Sequence, residues 1–190
     1  MSDIYEEADW AAAQAGDGES FGRIFDRHRG RVFFHAKRLM TDDADADDVV
    51  AIVFLEAWRR RHDVRFVNGS MLPWLLVTAT HAAANLARST RRHRALLKRL
   101  PPGEHTPDHA DAFGGIAETA LAGMPLADRQ VITLCVLEGF SEREAAQALA
   151  VAPGTVKSRL SRAKRRLADR FLLESLANSS AKGVQHEYRT

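Results

Sequence analysis

The chain of 190 residues contains one cysteine, Cys135, so no disulfide bond can form within it. This cysteine lies in the apolar stretch VITLCVL, which favours a buried, unreactive thiol over a nucleophile or a redox sensor. No apolar run approaches the roughly 20 residues that a membrane-spanning helix needs. The first 20 residues carry six acids and no Lys or Arg, unlike a secretion signal. These absences predict a soluble protein of a reducing cytoplasm.

Sequence patterns of catalytic sites are missing as well. There is no Gly-rich phosphate loop, no Gly-x-Ser-x-Gly elbow and no pair of carboxylates in a recognisable frame. His105 and His109 have acidic neighbours, which could suggest a metal site, but they lie in a Pro- and Gly-rich stretch without a rigid frame. We therefore predict a protein that is not an enzyme and has no metal or other cofactor.

Helical periodicity dominates the sequence, and no segment alternates convincingly as a strand. Residues 100–115 contain three of the six prolines and three glycines, which predicts a flexible linker. The fold class is therefore all-α, with two small helical domains. The predicted helices are 20–39, 44–61, 71–98, 115–123, 126–138, 141–149 and 153–173. The predicted parts are an acidic, disordered N-terminal tail (1–20), an N-terminal domain (21–98), the linker (99–118), a C-terminal domain (119–173) and a disordered C-terminal tail (174–190).

Charge is segregated along the chain, although the net charge is only +2. Residues 1–20 and 41–48 are acidic, whereas residues 87–99 contain six Lys or Arg and no acid. Residues 151–170 contain seven Lys or Arg and a single Asp. One basic block is most often a solvated helix face, but two of them on amphipathic patterns favour a polyanion, with nucleic acid first.

The C-terminal domain has the pattern of a helix-turn-helix. Ser141 and Glu144 have the spacing of a capping box at the start of one helix. Pro153 ends that helix and suits the first turn of the next. Four residues of the second helix share one stripe, which we expect to face the domain core: Val156, Leu160, Ala163 and Leu167.

The opposite face of this second helix is strongly basic. Arg and Lys at the start of a recognition helix can reach guanine edges in the major groove, while those farther along meet phosphates. A solvated basic face is the alternative, and the capped helix pair in front argues against it. The face comprises Thr155, Ser158, Arg159, Arg162, Arg165 and Arg166, with Lys157 and Lys164 at its sides.

The sequence resembles a known family, the extracytoplasmic-function sigma factors, which are small promoter-recognition subunits of bacterial RNA polymerase. Residues 121–167 match the pattern of the family's fourth conserved region. The matching positions are Pro125, Gln130, Val131, Leu137 to Gly139 and Gly154 to Arg159. The resemblance implies recognition of the −35 promoter element by Thr155, Lys157, Ser158, Arg159, Arg162, Arg165 and Arg166. The Gly-Thr-Val-Lys-Ser stretch alone also fits other helix-turn-helix activators.

The N-terminal half separates these possibilities. The stretch DADDVVAIVFLEAW, residues 45–58, resembles the family's second region. The resemblance implies that this helix docks on the clamp helices of the largest subunit of core RNA polymerase, and that the protein also meets the flap of the second largest subunit. Relatives commonly carry Gln-Glu where this chain has Ala51 and Ile52, so the helix lacks those polar groups. The implied docking residues are Asp47, Asp48, Phe54, Leu55 and Trp58.

Periodicity offers another interpretation of the same helix. Val50, Phe54, Ala57 and Trp58 form a stripe that is typical of plain core. On that interpretation the exposed acids, rather than the apolar residues, contact a partner.

Residues 65–94 resemble the strand-opening segment of the family. Asn68 and Gly69 favour a turn, so residues 62–72 can project as a loop, and such loops in relatives capture a base flipped from the non-template strand. His81 is either a base contact or a partly buried residue with one hydrogen bond. The resemblance implies contacts near the −10 element by Asn68, Asn85, Arg88, Arg91 and Arg92, and the basic helix end, which includes Arg94, suits backbone phosphates.

Two other functions fit parts of this sequence. A sigma-like decoy would keep the fold and sequester an anti-sigma factor, but such proteins usually have a degraded DNA-binding face. A stand-alone helix-turn-helix regulator would not need the helix of Trp58 or the segment of Trp74. We expect core RNA polymerase and promoter DNA as partners, an anti-sigma factor as a further candidate, and no membrane.

Overall fold

The computed structural model describes residues 3–40, 42–97 and 124–184, and it confirms the all-α prediction for them. Regular backbone pairing outside helices is limited, in this part of the chain, to an isolated bridge between Val67 and Ser70. None of the helices described is long and apolar enough to cross a membrane. The helices are α1 (Asp3–Gln14), α2 (Gly18–Lys37), α3 (Asp43–Arg59), α4 (Leu72–Leu97), α5 (Leu126–Ile132, continued by the π-helical turn Thr133–Leu137), α6 (Glu142–Leu149) and α7 (Pro153–Val184).

Helices α1 to α4 build the N-terminal domain around one apolar core. Helix α2 is amphipathic, and Asp17 caps its start by accepting the N–H of Glu19. Helix α3 is capped in the same way by Asp42, which accepts the N–H of Ala44. Burial of each large aliphatic side chain contributes about 1.5–3 kcal/mol. The residues fully buried here include Ile24, Val32, Val49, Val53, Met71, Leu75 and Leu76.

Helix α1 corrects the prediction of a disordered N-terminal tail. Glu6, Trp10 and Ala13 follow one another at helical spacing, and all three are buried. The indole ring of Trp10 lies 6.3 Å from the ring of Phe21 in α2. The acids on the remaining faces gave the segment the composition of a tail, whereas its buried stripe anchors it to the domain.

The C-terminal domain consists of α5, α6 and α7. Helix α7 continues to Val184, so the predicted end at residue 173 and the predicted disorder from residue 174 onward are wrong for this part of the tail. The predicted linker and the helix predicted at 115–123 lie outside the described residues, as do His105 and His109. Cys135 is half-buried rather than buried, and burial raises the pKa of its thiol.

The two helical domains contact each other through polar side chains. Arg31 and Arg38 of α2 donate to the carboxylate of Glu138, over 2.5 and 3.0 Å. The Glu138 side chain is only 6% exposed, so these arginines compensate a nearly buried charge. On α4, a ring nitrogen of His81 lies 2.7 Å from the side-chain nitrogen of Gln130 in α5.

Candidate nucleic-acid interface

The structure confirms the predicted helix-turn-helix. Ser141 accepts the N–H of Glu144, and the Glu144 carboxylate accepts the N–H of Ser141 at 2.6 Å, which completes the capping box of α6. Ala150 ends this helix in the left-handed conformation with a φ of 54°. Pro153 is then the first residue of α7, where its missing N–H costs no helical hydrogen bond.

Replacing Ser141 by Ala is expected to destabilise the protein by about 1 kcal/mol, because the cap of α6 would be lost. Urea unfolding of the full chain, followed by circular dichroism, measures this change. Ser161→Ala is the matched control, since Ser161 is exposed in the interior of α7, where Ala is the better helix former. Equal stability of Ser141→Ala and the wild type would contradict the role of this cap.

The packing of α7 leaves its basic face in solvent. The predicted stripe lies toward the domain core: Val156, Leu160 and Ala163 are buried, and Leu167 packs against them partly buried. Among the described residues, no carboxylate forms an ion pair with Arg159, Arg162 or Arg165. The exposed members of the predicted face are Lys157, Ser158, Arg162, Lys164, Arg165 and Arg166, while Thr155 and Arg159 are half-buried.

Three members of this face use their polar groups within the domain, and one of them is Arg162, whose Nε–H donates to the carbonyl oxygen of Ser158 at 3.4 Å. The hydroxyl of Ser158 donates to the carbonyl oxygen of Thr155 at 3.0 Å. Arg166 forms an ion pair with Asp128 of α5, whose side chain is 6% exposed. Arg166 therefore compensates a nearly buried carboxylate, a role that the helical spacing in α7 alone could not indicate.

The predicted turn of Asn68 and Gly69 is present in the loop between α3 and α4. Both residues have positive φ, 52° and 76°, and the N–H groups of Val67 and Ser70 pair with each other's carbonyl oxygens. This is the geometry that Asn-Gly favours in a two-residue turn. The Asn68 amide donates to Glu144 of α6, so the tip of the loop lies against the helix-turn-helix. Hydrogen bonds from Ser141 and Asn68 hold the pKa of Glu144 below its usual value.

Helix α4 carries the second basic cluster. Arg88 and Arg92 are exposed, and the guanidinium of Arg88 donates to the Asn85 side-chain oxygen at 2.5 Å. The side chain of Arg91 is outside the described residues. His81 is exposed rather than partly buried, but it makes the hydrogen-bond contact that one of its two interpretations predicted, here with Gln130. Partial desolvation, and then the charge of Arg88, lower the pKa of His81.

Helix α3 requires one correction. Phe54 was predicted to dock on a partner, but it is 3% exposed and its ring lies 4.7 Å from that of Phe25 within the core. Asp47 and Asp48 are exposed, as is Leu55 at 56%. Trp58 is half-buried, with its ring 5.1 Å from that of Phe21.

Sequence reasoning missed one residue of this exposed face. Ile52 is 44% exposed, and it lies on the same side of α3 as Asp48 and Leu55 because the three follow at intervals of four and three residues. The sequence signal was available, since an isoleucine between two exposed positions at helical spacing belongs to their face. The exposed surface of α3 therefore combines acids with apolar side chains.

Comparison with known proteins identifies the family. The profile of Sigma-70 region 2 matches residues 24–93, and the profile of Sigma-70, region 4 matches residues 115–167. The ECF RNA polymerase sigma factor SigM of Mycobacterium tuberculosis is 30% identical over 160 residues, which cover 83% of this chain and 80% of SigM. The chain belongs to the extracytoplasmic-function (ECF) sigma factor family.

Solved structures agree with the fold of an ECF sigma factor. A chain in the structure of CnrH in complex with the cytosolic domain of CnrY has a TM-score of 0.61 and 25% identity, over 90% of this chain and 98% of that one. The sigma factor RpoE of Bartonella quintana, solved with the anti-sigma factor NepR, has a TM-score of 0.52 and 23% identity, over 80% of this chain and 97% of that one. The second likeness shows the fold alone.

These comparisons confirm the family that the sequence predicted. ECF sigma factors bind DNA and act in the initiation and regulation of transcription. Sigma factors are transcription regulators and are not known to be enzymes. The region 2 profile spans most of the N-terminal domain, a part that a stand-alone helix-turn-helix regulator would not need.

Proposed function

We propose that this ECF sigma factor binds core RNA polymerase and directs transcription initiation at promoters with a −10 and a −35 element. The observation that carries the proposal is the basic face of α7, which is exposed on a capped helix-turn-helix while the opposite stripe fills the core. Such a helix fits the major groove with its N-terminal residues toward the bases. Arg159 and Arg162 are the proposed base contacts, and Lys157, Lys164 and Arg165 are the proposed phosphate contacts.

The loop between α3 and α4 is the proposed site of the −10 element. Its tip, Asn68, lies on an exposed turn whose neighbours Val67 and Met71 are buried, so the tip stands on a fixed base. Arg88 and Arg92 add positive charge on α4 for the DNA backbone, a contribution that salt weakens. A rigid turn with a side-chain amide can hydrogen-bond the edge of a base that has left the duplex.

The exposed face of α3 is the proposed docking surface for the polymerase clamp. Asp47 and Asp48 supply negative charge, and Ile52 and Leu55 supply apolar area. Acids steer a basic partner into register, while the apolar side chains are desolvated in the contact. The Ile side chain at residue 52 adds to this area where relatives commonly carry a polar group.

The described arrangement of the domains differs from the one that a promoter requires. The −10 and −35 positions are roughly 25 base pairs apart, or about 85 Å at 3.4 Å per base pair, whereas Asn68 hydrogen-bonds Glu144 of the helix-turn-helix. We infer that the contacts of Glu138, Glu144 and Gln130 with the N-terminal domain separate when the sigma factor engages the polymerase and a promoter.

An anti-sigma factor is a second proposed partner. RpoE of Bartonella quintana was solved with one, although that likeness shows only the fold. The observation on this chain is Phe34, which is 62% exposed beside a groove of about 670 Å³ between α2 and α3. The groove is lined by three phenylalanines, Phe34 among them, and by charged side chains, and an exposed aromatic ring in such a groove is typical of a surface that a partner helix covers.

Run-off transcription tests the proposed function. Fragmented genomic DNA of the source bacterium is transcribed by core polymerase with and without this protein, and transcript starts are sequenced. We expect discrete new start sites that share two spaced upstream elements. If the protein co-elutes with polymerase but no new start sites appear, the proposal that it directs initiation at promoters is contradicted. If it does not co-elute, the decoy that sequesters an anti-sigma factor is favoured.

A further inference from the structure

A buried carboxylate joins α1 to the end of the loop between α3 and α4. Glu6 is 2% exposed, and its oxygens accept the backbone N–H of Met71 at 2.7 Å and the Ser70 hydroxyl at 3.3 Å. The imidazole Nε2 of His28 lies 2.9 Å from the same carboxylate. Burial raises the pKa of Glu6, but the contacts with His28 and with the Met71 N–H outweigh it and hold the pKa below its usual value.

These contacts lie directly behind the Asn68 turn. Ser70 pairs with Val67 across the turn, and its hydroxyl oxygen also accepts the N–H of Leu72, the first residue of α4. The first turn of α4 has no acid of its own. Glu6 therefore supplies from another helix the negative charge that a helix start favours, and it fixes the residue that closes the turn.

The other end of the loop is held by the same helix. Gln14, at the end of α1, donates to the carbonyl oxygen of Arg61 at 2.7 Å, just after α3 ends. Glu6 and Gln14 are eight residues apart, which is about 12 Å along a helix. Helix α1 thus acts as a brace that contacts the loop at Arg61, near its start, and at Met71, its last residue, while the tip at Asn68 stays exposed.

We propose that Glu6, through the brace that α1 forms with Gln14, is a positioning residue that sets the orientation of the Asn68 turn toward the single-stranded −10 DNA. The proposal rests on the proposed function, because the contact of the Asn68 turn with DNA belongs to that function. The contacts of α1 with the loop can be tested without DNA. Glu6 does not contact the DNA. It acts on base selection because a loop whose ends are fixed presents one arrangement of hydrogen-bonding groups, and a loose loop presents several.

The first experiment tests the brace in the free protein. Hydrogen exchange of the full chain is compared for the wild type, Glu6→Ala, Glu6→Gln and the control Glu7→Gln, whose side chain is exposed on the same helix. We expect Glu6→Ala to speed exchange of the amides of residues 67–72 at least tenfold while exchange in the middle of α7, which has no described contact with Glu6, is unchanged. Glu6→Gln keeps one acceptor oxygen for Met71 and is expected to be intermediate. Unchanged exchange in Glu6→Ala would overturn the brace.

The second experiment tests its role in base selection. Run-off yields from a promoter and from versions with single substitutions in the −10 element give a discrimination ratio. A folding defect lowers both yields together, whereas a misplaced turn lowers the ratio, by an expected tenfold or more in Glu6→Ala and by less in Gln14→Ala. Ratios equal to the wild-type ratio in both variants would overturn the proposal. Glu7→Gln is expected to keep the wild-type ratio.

These readouts separate failure of this proposal from failure of the proposed function. If the wild type itself starts no transcripts, the proposed function fails, and hydrogen exchange still decides whether Glu6 holds the loop. If Glu6→Ala does not fold, Gln14→Ala carries both tests, since it removes only a contact at the partly buried start of the loop. Wild-type exchange at residues 61–63 together with a wild-type ratio in Gln14→Ala would then reject the brace.

Discussion

Replacing Arg159 or Arg162 by Ala is expected to weaken promoter binding by about 1 to 3 kcal/mol each, or about 5- to 150-fold, if the side chain reads a base. Arg162 is exposed and Arg159 half-buried on the outer face of α7. Neither forms an ion pair with a described carboxylate, and Arg162 donates a long hydrogen bond of 3.4 Å to the carbonyl oxygen of Ser158, so we expect truncation to change the stability of the free protein little. The measurement is binding of the reconstituted holoenzyme to a promoter fragment, at fixed salt concentration.

The pattern of the loss distinguishes two kinds of contact. A base contact is lost only with the preferred −35 element, so the variant and the wild type should bind a fragment with a scrambled −35 element about equally. A phosphate contact is lost on every sequence and lowers the slope of log affinity against log salt by about 1. Arg29→Ala is the charge-matched control, because Arg29 is exposed on α2 and its ion pair in the described part of the chain is with its neighbour Asp26. A full −35 effect in Arg29→Ala would contradict the assignment to α7.

Arg166 is unsuited to the same experiment. Its ion pair with the nearly buried Asp128 means that truncation leaves an uncompensated charge in the domain. A loss of binding in such a variant would mix stability with DNA recognition. Spacing along α7 places Arg166 on the same face as Arg159 and Arg162. The packing of α5 against α7 shows that Arg166, unlike the other two, has a structural ion pair.

Features that depend on neighbouring residues were predictable from the sequence. The capping box of Ser141, the start of α7 at Pro153 and the buried stripe that contains Val156 and Leu160 all rest on contacts within a few residues. The same holds for the turn at Asn68, whose positive φ is set by the local preference of Asn-Gly. These short-range rules placed the helix-turn-helix and the loop correctly.

Features that depend on distant residues were not predictable in this way. Glu6 is buried because His28 and Met71 meet it, and Met71 is 65 residues away. The local sequence does not reveal those partners, and a segment rich in acids then has the pattern of a solvated tail. The contact of Glu138 with Arg31 spans 107 residues and depends on how the two domains pack. Resemblance to a family likewise marked both Phe54 and Leu55 as docking residues, although adjacent positions on a helix point in different directions.

Acidification from pH 7 to pH 4 is expected to lower the free energy of unfolding through His35 by about 3 kcal/mol. Burial lowers the pKa of His35 to about 4, while the nearby charges of Glu138 and Arg38 act in opposite directions. The ordinary pKa is 6.5, and between these values the unfolded chain binds a proton that the folded protein does not. Stability is therefore complete above about pH 6.5 and is lost progressively as the pH falls toward 4.

The geometry explains why His35 stays neutral in the fold. The Thr80 hydroxyl donates to the carbonyl oxygen of Leu76 at 2.9 Å, so it must accept the N–H of His35 Nε2, 3.0 Å away. Nδ1 then keeps its lone pair, and it is buried without a hydrogen-bond partner among the described residues. A proton on Nδ1 would bury both a charge and an unpaired donor, and the folded protein avoids this by excluding the proton.

Urea unfolding at several pH values from 7 to 4 measures this effect as a difference between variants. His35→Leu removes the titrating ring at similar volume and leaves Thr80 bonded to Leu76, so its stability is expected to fall less steeply with acid than that of the wild type. Val32→Ala, also on the buried face of α2, is the control: it creates a cavity and lowers stability at every pH without changing the slope. Because Glu6 and the other carboxylates titrate in all three proteins, their contribution cancels in the comparison. Parallel pH profiles for the wild type and His35→Leu would show that another group carries the acid sensitivity.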